Sequence, residues 1–83
     1  MGVYTIITED KYTVKETMSD GSKETVECKK IKNLDFNSYE YAAEAFFKAV
    51  GAFEYDSANS PGHSYKVDLV RNYNMETVMT WKK

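Results

Sequence analysis

Paired cysteines, a second histidine, glycine-rich loops and long apolar runs are all missing from this 83-residue chain, which has one cysteine, one histidine, one proline and four scattered glycines. A single thiol, Cys28, excludes an internal disulfide and fits a reducing compartment. One cysteine and one histidine cannot build a zinc site without carboxylates or a second chain, so no metal or other cofactor is expected. Nucleophilic catalysis would need Cys28 or a serine beside His63 and an orienting acid. Cys28 falls at an inward strand position and His63 at the edge of a loop, so no working dyad is expected and the chain reads as non-enzymatic. No phosphate-cradling glycine loop exists. No apolar run approaches bilayer length, and the start MGVYTI lacks the basic-then-apolar order of a signal peptide. Ile6 stands where myristoylation wants Ser or Thr. A cytoplasmic, single-domain protein without membrane contact is the expectation.

The net charge is small, −2 from thirteen acids and eleven bases, but it is unevenly placed. Residues 35–56 carry Asp35, Glu40, Glu44, Glu54 and Asp56 against Lys48 alone, a local charge of −4; residues 57–83 come to +2. Without clustered cations, sequence-independent binding to nucleic-acid backbones is disfavoured. An acidic face suits a basic protein partner, although a solvated helix face accounts for the same run.

What is present is one strong helix pattern in 35–53, DFNSYEYAAEAFFKAVGAF. Asn37 and Glu40 have the spacing of a capping box, which starts the helix near Ser38. Tyr39, Ala42, Ala43, Phe46, Phe47, Ala49, Val50 and Phe53 recur at helical spacing and predict a core-facing stripe, with Tyr41, Glu44 and Lys48 outward. Gly51 is placed to end the helix, giving roughly 13 residues. Phe46, Phe47 and Phe53 all read as core.

Strand patterns surround it. Residues 3–8 (VYTIIT) and 12–18 (YTVKETM) read as two strands joined by a polar turn at 8–11, and 22–31 as a third. The turn Ser19-Asp20-Gly21 fits a three-residue loop with Gly21 left-handed, which pairs Val14 with Val26 and Tyr12 with Cys28. Cys28 then fills a small space in the core. Residues 52–55 (AFEY) are a candidate short strand, and 56–63 (DSANSPGH) a surface loop in which a lone His63 is solvated. Residues 64–71 and 75–81 form a closing hairpin about 72–74, with Tyr65, Val67 and Leu69 opposite Trp81, Met79 and Thr77 and Trp81 anchored in the core. The order β-β-β-α-(β)-β-β predicts an α+β fold: an antiparallel sheet of five or six strands with one central helix on one face.

A small acidic chain in which Tyr-rich hairpins precede a capped helix (LDFNSYEYAAEAFF) and return as strands resembles phage-encoded anti-defence proteins, anti-CRISPR proteins among them. The resemblance implies a stoichiometric inhibitor that covers a basic surface of a bacterial nucleic-acid-handling complex. The reading is therefore a protein-binding module acting through Glu40, Tyr41, Glu44, Glu54, Asp56, Asn59 and His63. Two alternatives stand beside it: a structural or self-assembling protein associating through its sheet, with a homodimer allowed, and a single-strand nucleic-acid binder using Tyr4 with Lys15, Lys29 and Lys30.

Overall fold

Two 14-residue strands dominate a computed structural model describing residues 2–83: β1 (Tyr4–Thr17) and β2 (Lys23–Phe36). They are followed by α1 (Tyr39–Asn59), β3 (Ser64–Arg71) and β4 (Glu76–Lys82). The sheet has four antiparallel strands in the order β2-β1-β3-β4, not five or six.

The expected turn at 8–11 is the largest correction, because β1 runs straight through it. Its polarity comes from sheet position. Glu9 and Lys11 point to the open face, where Lys29 lies 3.0 Å from Glu9 and Glu27 4.0 Å from Lys11. Asp10 points to the helix side, where His63 takes it up. With neither Gly, Pro nor Asn in TEDK, nothing forces the backbone round. At the true hairpin tip, Gly21 has φ +86°, and Val14 pairs with Val26 and Tyr12 with Cys28, the register that the three-residue loop predicts.

The helix is also longer than its sequence punctuation suggests, with 21 residues. Ser38 is the N-cap and makes no side-chain capping bond, so the Asn37/Glu40 capping box does not form. Gly51 lies mid-helix, and the expected strand at 52–55 is one further helical turn, followed by another to Asn59. The helix continues because Phe53 stacks on Tyr65, ring centroids 4.6 Å apart, and on Trp81 at 6.4 Å. Its end is closed locally. The Ser57 hydroxyl donates to the Glu54 carbonyl, the Asn59 amide to that of Tyr55, and the Ser60 N–H to that of Asp56. Pro61 then forbids continuation.

In the closing hairpin, Val67 opposes Trp81 and Leu69 opposes Met79, two residues away from the expected register, and a bulge follows at Leu69/Val70. The tip takes four residues because its side chains are committed. Asn72 donates to the Gly2 carbonyl and Thr5, Asn74 accepts from the Glu76 N–H, and Arg71 meets Glu76 at 3.3 Å.

The core is small and lies between α1 and the β1-β3 centre: Ile6, Ala42, Phe46, Val67 and Leu69, flanked by Tyr4, Val50, Phe53, Met79 and half-buried Trp81. Because β3 pairs only with residues 4–11 of β1, the outer halves of β1 and β2 stand free as an arm. The molecule measures 52 × 26 × 15 Å.

Candidate protein-interaction surface

At about 100° per residue, Tyr41, Glu44, Lys48, Gly51 and Tyr55 form one outward stripe of α1, with Phe47 beside Gly51. Phe47 was expected in the core, but one residue from Phe46 it is turned about 100° off the buried stripe. Tyr41, Phe47 and Tyr55 are 68, 63 and 72% exposed. Nothing lies within 4 Å of where a Gly51 side chain would start, so packing does not demand glycine there. A glycine in a helix interior costs up to about 1 kcal/mol relative to alanine. Bare backbone therefore lies open between two aromatic rings four residues to either side.

Alongside this stripe, toward β2, runs an open groove of about 620 Å³, lined by residues that include Asp35, Phe36, Tyr41, Glu44, Ala45 and Lys48. Groove and stripe share Tyr41, Glu44 and Lys48. The two charges are paired at 3.2 Å, which leaves this surface near neutral.

The seven residues expected to bind a partner do not form one patch. Glu40, Tyr41 and Glu44 share the outward side of the first helical turns. Glu54 and Asp56, two residues apart, project about 200° from each other on opposite flanks. Asn59 is spent on the helix end. His63 is not a solvated loop residue. Its ring stacks on Tyr12 at 4.9 Å and Tyr65 at 5.8 Å, its Nδ1 lies 2.8 Å from Asp10 Oδ1, and its side chain is 29% exposed. This latch ties the α1–β3 loop to β1. Cys28 lies across β1 from it, on β2 opposite Tyr12, which separates thiol and imidazole by two strand spacings, about 10 Å.

Tyr65 sits at the centre of this cluster, buried beneath Phe53. Burial pushes its phenol pKa up, and the carboxylates of Asp10 and Asp56 push in the same direction. On the open face, the hydrogen bond from Lys29 holds the Glu9 carboxyl below its usual range. That face is otherwise mainly threonine and charge, with Ile7, exposed Ile31 and buried Val70 among them. Tyr4 and Tyr12 both belong to the helix side, where Tyr4 meets Tyr39 at 5.7 Å and Lys30 lies over Tyr12 at 5.8 Å. Lys15 and Lys29 point the other way, so the expected basic-aromatic patch with Tyr4 is divided between two faces.

Among the described residues, no helix is long and apolar enough to cross a membrane, and no group of three or more His, Cys, Asp or Glu side chains could hold a metal ion. Comparison with protein-family models, with curated proteins and with solved structures returned no match. Phe47, Gly51 and Tyr55 are the surface residues that sequence reasoning passed over. A helical wheel drawn through Gly51, instead of stopped at it, places all three together.

Proposed function

We propose that this chain is a non-enzymatic protein-binding module whose contact is the outward face of α1. The observation that carries the reading is the pair of exposed rings, Phe47 and Tyr55, on either side of an open Gly51, with exposed Tyr41 further along the same stripe. Exposed aromatics beside a mutually neutralised Glu44–Lys48 pair suit an interface, and a bare helical backbone admits close approach. A partner would seat an apolar side chain on Gly51 between Phe47 and Tyr55, with basic residues meeting Glu40, Glu44 and Glu54 at the rim. The acids serve as rim charges, not as a phosphate mimic, because Glu54 and Asp56 diverge and Glu44 is already paired with Lys48. The role implied by the resemblance, inhibition of a bacterial nucleic-acid-handling defence complex, is the use we propose for this face.

Affinity capture from bacterial lysate, quantified across variants, tests it. A species recovered by the wild-type chain should fall at least about tenfold with Gly51→Glu and with Phe47→Ser plus Tyr55→Ser, the loss expected when a central anchor is removed. Lys15→Glu on the arm should leave recovery unchanged. Equal recovery by all four chains would remove the helix face from consideration.

A further inference from the structure

The outer edge of β2 carries a charge order that is complementary to itself. Reading from Lys23, the acids Glu24 and Glu27 come first and the lysines 29, 30 and 32 after, with Cys28 between. β2 is an edge strand along its full length, and the core beneath α1 is centred on β1 and β3, with Phe36 at the end of β2 beside it. We propose that a second copy of this chain pairs antiparallel along β2, on a two-fold axis through Cys28, making one eight-stranded sheet. This association uses neither Gly51 nor the aromatic stripe and stands independently of the function proposed above.

Charge fixes the register. Centred on Cys28, the pairing sets Glu27 opposite Lys29 and Glu24 opposite Lys32, each twice by symmetry. Moving the axis by one residue sets Glu27 against Glu27 or Lys29 against Lys29, and like charges directly opposed are destabilising. The existing ion pairs extend across the junction. Glu9 already holds Lys29, and Lys11 reaches Glu27, all on the open face. The second copy would complete a row of Glu9, Lys29, and then the other chain's Glu27 and Lys11.

Backbone geometry agrees with this register. The Met18 N–H donates to the Ser22 carbonyl, and hydrogen-bonded pairs alternate along an antiparallel ladder. Even-numbered residues of β2 therefore bond to β1. Odd-numbered ones, Glu27 and Lys29 included, turn N–H and C=O to the free edge. The two Cys28 residues then meet at a non-hydrogen-bonded site with Cα atoms about 4.5 Å apart, within disulfide range.

Two measurements test the pairing together. The wild-type chain should sediment as a dimer, and brief treatment with diamide, which takes two electrons from two thiols, should join Cys28 to Cys28 in a band reversed by dithiothreitol. Glu24→Lys with Glu27→Lys, and separately Lys29→Glu with Lys32→Glu, should each weaken self-association at least about tenfold. Mixing the two variants restores all four opposite-charge pairs and should restore a heterodimer. Lys15→Glu, on the far side of the arm, should have no effect. A monomeric wild-type chain, a dimer that survives both double reversals, or a mixture that stays monomeric would each overturn the proposal. Circular dichroism checks that each variant folds, and the wild-type cross-link, which needs no substitution, decides where one does not.

Discussion

Between the rings of Tyr12 and Tyr65, with Asp10 2.8 Å from its Nδ1, the His63 imidazole joins a loop to the sheet that would otherwise be tethered only at its ends. His63→Ala should cost about 1–2 kcal/mol in urea denaturation, through a lost side-chain hydrogen bond and lost stacking. Asp10→Asn should cost less, since the amide oxygen still accepts from Nδ1–H. A change below about 0.3 kcal/mol for His63→Ala, within the range of a neutral surface substitution, would mean that the residue is solvated after all. Tyr65 gives a second readout. Its phenol pKa is raised by burial and by two nearby carboxylates, so the fold favours the neutral ring. Its stabilisation is complete below the ordinary phenol pKa and is lost as pH climbs through the raised folded value. In a spectrophotometric alkaline titration, one of the seven tyrosines should ionise late and together with unfolding. Tyr65→Phe should remove that late step.

Two elements carry the difference between local signals and the fold. Gly51 reads locally as a helix end, yet Phe53 has Tyr65 and Trp81 to stack on, and tertiary burial carries the helix past it. Gly51→Ala should therefore stabilise the protein by about 0.5–1 kcal/mol in thermal or urea unfolding, because it improves helix propensity without meeting any neighbour. A loss of stability would mean that packing needs the glycine. The continuous β1 explains why 8–11 misleads. Polar residues in the middle of a strand look like a turn until the partner strand supplying Lys29 and Glu27 is known, and no single-strand pattern contains that partner. What was legible was periodic or sterically forced: strand β3 with its bounds and the Gly21 hairpin register; the helix does start near Ser38, but without the Asn37/Glu40 capping box that placed it there. What was not legible depended on residues distant in sequence, such as the stack on His63 and the bulge in β4. Glu9 tests the ladder itself. Its folded pKa is lowered chiefly by the Lys29 hydrogen bond, so its stabilisation is present above the usual glutamate pKa and lost as pH falls through the lowered folded value. Melting temperature should fall less steeply on acidification in Glu9→Gln than in the wild-type chain.

At the scale of the whole molecule, a small core holds one end of a 52 Å body while the arm at 13–27 extends beyond both helix and β3. Amide hydrogen exchange should be slowest at Ile6, Val67 and Leu69 and fastest near Gly21, a gradient that follows burial and pairing. The near-neutral aromatic stripe of α1 is separate from both the arm and the latch, so a partner can cover it without disturbing the fold. The most direct measurement is photo-cross-linking from a benzophenone side chain placed at residue 47, with the same probe at residue 13 on the open sheet face as control. The account predicts one discrete adduct from position 47 that Gly51→Glu abolishes, and no such adduct from position 13. An adduct from position 13 alone, or one from position 47 that survives Gly51→Glu, would contradict it.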